Sequence, residues 1–169
     1  MVSRLLQRRS VLAGMAATAL LPRRARAEDY TELDWEDLLP ENETTIPNAF
    51  RGVIDHDDAS LSSQQPASSG VRTDWNGQIV RLPGFVVPID YQGSGVVAFI
   101  LVPYVGACVH VPPPPANQLV FVTTETPYES AGLFEPVNVI GMFGVSSIST
   151  QFADIGYALS ADKIEPYRT

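Results

Sequence analysis

Carboxylates are plentiful in this 169-residue chain and no pair of them stands out, but thiol and imidazole side chains are few: one cysteine, Cys108, and two histidines, His56 and His110. Cys108 and His110 stand two apart in Gly106-Ala107-Cys108-Val109-His110. In an extended backbone alternate side chains share a face, so the thiol and imidazole would point one way and Val109 the other. One soft and one borderline ligand suit zinc or copper. The same pair could be a thiolate activated by a neighbouring base, the start of a thiol enzyme. Or Cys108 is a small buried hydrophobe and His110 hydrogen-bonds the loop backbone. The residues alone leave all three open. A zinc site normally takes at least three protein ligands. Tyr104, Asp90, Asn117 and His56 are the further donors on offer, none at diagnostic spacing.

The loop carrying the pair reads as stiff. Pro112, Pro113, Pro114 and Pro115 favour polyproline II, with fixed φ and no donors. Gly106 admits a positive φ or a close backbone approach. Asn117 and Gln118 can tie the loop end to neighbouring amides and carbonyls. With Tyr104, these residues form either a strut or an exposed ledge for a partner's aromatic side chains.

Other chemistry is missing. There is no H-E-x-x-H, no C-x-x-C and no G-x-S-x-G, since Gly144-Val145-Ser146-Ser147 continues with Ile148. Asp55-His56-Asp57-Asp58 lacks calcium-loop spacing and reads as a solvated acidic turn. Gly93-Ser94-Gly95-x-x-Ala98 imitates a dinucleotide fingerprint, but a β-branched run follows where a helix should begin. A non-enzymatic protein is the expectation, with zinc or copper the only cofactor the pattern suggests.

Residues 1–27 read as a targeting segment. Arg8-Arg9 precedes the apolar run Val11–Leu21, and Ala25-Arg26-Ala27 closes it as a cleavage site, a twin-arginine pattern that implies a periplasmic protein. The apolar run is about half the ~20 residues a spanning helix needs, so no stable membrane span is expected after cleavage. Cleavage removes six of the eleven basic residues and no acid, leaving five against nineteen, a net charge of −14. Such a surface repels phosphate backbones, so nucleic acid is an unexpected partner. A single cysteine forms no internal disulfide.

The elements that must position the loop are strands. Residues 28–74 read as an N-terminal arm and linker. Leu33, Trp35, Leu38 and Leu39 make a short amphipathic turn that ends at Pro40 and docks its indole on the domain. Phe50–Ile54 is a short strand candidate. Asn42-Glu43-Thr44 matches a glycosylation sequon by chance, and 59–70 is a flexible linker by composition. Residues 75–169 form the β domain. Asn76-Gly77 signals a tight turn. Gln78–Asp90 is one long strand, with Val80 and Leu82 apolar on even positions and Phe85, Val87 and Ile89 on odd ones. That switch predicts a bulge at Pro83-Gly84. Val96–Val102, Gln118–Thr124, Val137–Val145 and Tyr157–Ile164 follow as strands, with Glu125–Gly132 a polar connection and Thr150–Gly156 an irregular crossing. The expected class is mainly β: a small five-stranded OB-like barrel with an N-terminal extension, an open sandwich being the alternative.

Several stretches together resemble a known family. They are Trp35-Glu36-Asp37-Leu38-Leu39-Pro40, Val80–Pro88, Leu101-Val102-Pro103-Tyr104, Gly106–Gln118 and Ile164-Glu165-Pro166-Tyr167. The run G-A-C-x-H-x-P-P-P-P-x-N-Q is the most specific of them. The chain is similar to the exported bacterial family catalogued as domain of unknown function 3299. The resemblance implies a periplasmic protein without an established activity. It further implies a role in envelope metal handling beside an ABC-type transporter or a periplasmic metal-binding protein. It carries Cys108, His110, Pro112–Pro115, Asn117 and Gln118 as signature positions without saying which are ligands.

Overall fold

The structure, a computed structural model, describes residues 29–41, 65–108 and 113–167. The expected signal segment, the sequon, the strand candidate Phe50–Ile54 and the acidic turn with His56 lie outside the described residues.

Six strands are present among the described residues: β1 (Thr31–Glu32), β2 (Ile79–Gln92), β3 (Gly95–Val102), β4 (Val120–Tyr128), β5 (Pro136–Ser149) and β6 (Asp154–Pro166). Their order is β1-β2-β3-β4-β6-β5, and β5 pairs back onto β2. Five strands therefore close into a barrel, with β4 and β6 parallel and the other barrel pairs antiparallel. The expected mainly β, OB-like barrel is what the chain forms, and an open sandwich is excluded by the closure.

Closure depends on β2 serving two partners. Ile79–Phe85 pairs with β5, and Phe85–Gln92 pairs with β3. The changeover falls beside Gly84, where an added Cβ would lie 2.7 Å from Leu101 Cγ, so only glycine lets the two strands approach this closely. The predicted bulge at Pro83-Gly84 is not there. The register runs unbroken through Pro83, Gly84 and Phe85, and the shifts in β2 come later, around Asp90. The physical reason is a second apolar layer. Val80, Leu82 and Val86 all face the barrel interior, while Phe85, Val87 and Ile89 face outward into a separate cluster. Both faces of the strand are covered, so an apolar residue on either parity is stable without a register change.

The interior holds Phe99 and Leu101 from β3, Val120 and Val122 from β4, Val137, Val139 and Phe143 from β5, and Tyr157 and Leu159 from β6. The expected arm completes it. β1 lies parallel to β2 with Thr31 opposite Val80, and a 3-10 helix over Trp35–Leu38 follows. Its start is closed by the Asp34 amide donating to Asp37 Oδ2 at 2.8 Å. Leu33 and Leu38 then enter the barrel core, Leu38 with no exposed surface. Burial of one such leucine contributes about 2 kcal/mol.

The expected linker is also ordered where it is described. The Gln65 amide donates to Pro114 O and Asp154 O and accepts from the Asp154 amide, each at 2.8 Å. Composition suggested flexibility over 59–70, but a single side chain bridging two backbones pins 65–70 to the barrel.

Candidate functional site

The loop between β3 and β4 is positioned from both ends by strand pairing. Val102 sits opposite Phe85, and Leu101 opposite Val120. Between them the chain folds back over the outside of the barrel, where Ala107, Cys108 and Leu119 join Val87, Ile100, Val102, Ala153 and Ile155 in the outer cluster. Pro113 and Pro114 are buried and Pro115 half-buried, so these three prolines leave little surface exposed. Pro112 and His110 lie outside the described residues.

The loop end is tied as its residue types suggested. The Gln118 side chain donates to Trp35 O at 2.9 Å and to Asn117 O at 3.0 Å. The Trp35 indole in turn donates to Pro83 O at 2.7 Å. Asn117 reaches Ser69 Oγ at 3.4 Å. Stretches far apart in sequence (the W-E-D-L-L-P arm, the R-L-P-G strand and the P-P-P-P-A-N-Q loop) thus meet at one junction. Gly156 is required beneath it, since a Cβ there would lie 2.8 Å from Ala116 O.

Cys108 is fully buried and unpaired. Its φ is +65°, in the left-handed region, so the extended geometry that would put Cys108 and His110 on one face does not hold at its first residue. Burial pushes its thiol up to about 12. Metal ligation and nucleophilic attack both use the thiolate, and this apolar setting opposes its formation. Among the described residues no group of three or more His, Cys, Asp or Glu stands close enough to hold a metal ion. Asp90 is exposed on the last part of β2. Tyr104 is a neighbour of the thiol: burial first, and the Cys108 charge second, raise its phenol above the ordinary range. The Tyr104 hydroxyl, Asn117 Oδ1 and Gln118 Oε1 are buried without hydrogen-bond partners among the described residues. The residues that are described therefore fit a packed neutral thiol better than a zinc or copper ligand.

A second loop, the later part of the expected polar connection now that β4 runs on to Tyr128, completes the same face. It runs from Ser130 to Glu135 and is organised by the Glu135 carboxylate. That carboxylate accepts from Tyr128 OH at 3.0 Å, Ser130 Oγ at 2.9 Å and the Ala131 amide at 2.8 Å. Tyr128, raised to about 12 by burial and then by this bond, stays neutral. Phe134, with φ +61°, anchors to Val86 O through its amide at 2.8 Å and packs against the outer cluster. Cys108 and Phe134 are the two non-glycine residues with positive φ among the described residues, and both belong to this one cluster. Phe85, Tyr104, Phe121 and Phe152 of this cluster are half-buried, and Val105 and Leu133, next in the chain to Tyr104 and Phe134, are 61% and 49% exposed. The apolar pair Leu133-Phe134 directly after Gly132 was the available signal.

The charge pattern limits what the surface can bind. The three cations among the described residues are all paired: Arg72 with Asp74 at 2.9 Å, Arg81 with Glu32 at 2.8 Å and Lys163 with Glu165 at 2.8 Å. A phosphate would find no uncommitted cation among them. No helix among the described residues is long and apolar enough to cross a membrane.

Comparison with known families matches residues 35–166 to the model described as "Protein of unknown function (DUF3299)". Among solved structures, the chain is similar to the crystal structure of a DUF3299 family protein from Pseudomonas aeruginosa PAO1. The two are 34% identical with a TM-score of 0.70, over 83% of this chain and 97% of that one. A search of curated proteins finds no match.

Proposed function

From the premise that the chain belongs to the DUF3299 family, a family of unknown function, we propose that it is a periplasmic, non-enzymatic binding domain. Its twin-arginine segment exports it, and it docks an envelope protein, an ABC-type transporter being the expected partner, through the outer apolar face. One observation carries this reading. Two separate loops hold a bulky or buried residue, Phe134 and Cys108, in the left-handed backbone region, and both serve the same apolar surface. Such strain persists only where the surroundings over-determine it, and it concentrates at functional sites. Half-buried aromatic rings, with the exposed Val105 and Leu133 next in the chain to Tyr104 and Phe134, give that surface the composition of a binding patch.

The competing reading is metal handling, with zinc or copper held by Cys108 and His110. The burial and raised thiol of Cys108 weigh against it. They weigh equally against a thiol enzyme.

A photo-crosslinking residue placed at Val105 and, separately, at Leu133 in cells tests the proposal. Both should give one discrete adduct with the same envelope protein, and a control at Ser160 should give none. Absence of an adduct from both positions refutes the docking face. Protein purified under reducing conditions should carry metal only at background level. Stoichiometric zinc or copper, lost in Cys108→Ser and His110→Ala, would overturn this reading in favour of metal handling.

A further inference from the structure

Among the asparagines of the chain only Asn76 is followed by glycine. An asparagine before glycine is the pair most open to deamidation, because a residue without a Cβ does not hinder attack of its nitrogen on the neighbouring side chain. Asn76 and Gly77 are the central residues of a turn that the Gln78 amide closes by donating to Trp75 O at 3.0 Å, with Gly77 at φ +77°. Both are exposed, so water reaches them.

The turn stands where β2 meets β5. Beyond the last paired residues, Ile79 and Met142, the Phe143 amide donates to Gln78 O at 2.9 Å and the Gly77 amide donates to Phe143 O at 2.8 Å. The Asn76 side chain reaches further along β5, where its Oδ1 accepts from the Val145 amide at 3.2 Å. These bonds hold both groups that would react: the Gly77 nitrogen is turned to Phe143 and the Asn76 amide to Val145. Reaction between them waits on opening of this junction, a local event and not global unfolding.

We propose that Asn76 is a site of spontaneous deamidation gated by the end of the β2–β5 seam, and that its isoaspartyl product unties that end. On opening, the Gly77 nitrogen gives its proton to solvent and attacks Asn76 Cγ. The new N–Cγ bond forms, the Cγ–Nδ2 bond breaks, and the leaving amide takes a proton from solvent and departs as ammonia. Water then opens the cyclic imide. Attack at Cγ gives aspartate with the chain unchanged. Attack at the main-chain carbonyl gives isoaspartate, whose chain runs through Cγ and carries one extra methylene. That carbon displaces Gly77 and Gln78 from their Phe143 partners. Phe143 lies in the barrel core, its ring 5.1 Å from that of Tyr157, so the disturbance reaches the interior. Neither the docking face nor the Cys108 loop is involved.

The test is ageing of the mature chain in mildly alkaline buffer, folded and in guanidinium. Peptide mapping by mass spectrometry separates aspartate from isoaspartate, and hydrogen exchange of the Gly77 amide is measured on the folded chain. Conversion is expected at Asn76 and not at the buried Asn117 or Asn138. Denaturation should speed it by roughly tenfold or more, equivalent to about 1.4 kcal/mol of opening free energy. The ratio of the two rates should match the exchange protection of the Gly77 amide within about threefold, since both need that N–H to leave Phe143 O. The isolated isoaspartyl form should unfold about 3–6 °C lower than the unaged chain, whereas Asn76→Asp, with the same charge and an ordinary backbone, should not. The proposal is overturned by any of four results: no conversion in the folded chain, equal rates folded and denatured, a rate ratio unrelated to Gly77 exchange, or an isoaspartyl form as stable as Asn76→Asp.

Discussion

Tyr157→Phe removes a single oxygen, and that oxygen joins three segments. The ring is fully buried and tilted 32° against Phe143 at 5.1 Å between centroids, so phenylalanine keeps the packing. The hydroxyl donates to Leu38 O at 2.8 Å and accepts from the Arg72 amide at 2.7 Å. Without it, one fully buried carbonyl and one partly buried amide lose their partner. A buried orphan costs about 1–3 kcal/mol, and the amide falls at the low end because water can reach it. The expected loss is about 2–4 kcal/mol, a sizeable share of an ordinary domain's roughly 5–15. For a chain of this size that lowers Tm by about 6–12 °C. Urea unfolding should show a lower midpoint with an unchanged slope. Gln118→Ala acts on the same arm through Trp35 O. Once one anchor is gone the other holds less, so the double variant should lose at least about 0.5 kcal/mol less than the sum of the singles. A Tyr157→Phe loss under about 0.5 kcal/mol, or strict additivity with Gln118→Ala, would refute the idea that the arm plugs the barrel as one unit.

Other outcomes follow from the same contacts. The Cys108 thiol rises from 9.0 to about 12 on folding. The folded state therefore holds that proton more tightly, and the stabilisation is complete below pH 9. It falls away between pH 9 and 12, at about 1.4 kcal/mol per pH unit. Subtracting the stability profile of Cys108→Ala should isolate this slope, and alkylation of wild type at pH 8 should wait for denaturant. Gly84→Ala drives a methyl to within 2.7 Å of Leu101 Cγ and 3.0 Å of Val102 O. It should cost about 1–3 kcal/mol by overpacking in thermal or urea unfolding. Gln65→Ala cuts the bridge between Pro114 and Asp154. It should speed hydrogen exchange of the Asp154 amide by roughly tenfold while leaving Tyr157 protected.

What the chain's order of residues determined by itself is local or compositional. Apolar runs of strand length and the Asn76-Gly77 turn were enough for a small β barrel. Gln118 and Trp35 announced themselves as residues that tie and dock, because an amide and an indole seldom stay buried without partners. Only the tertiary structure decided which face each apolar residue serves. Phe85, Val87 and Ile89 looked like a register switch because periodicity cannot reveal a second layer that a distant loop lays over the barrel. The pairing of Cys108 with His110 assumed an extended chain, whereas the turn at Cys108 follows from the need to bring the loop back onto β2 and β3.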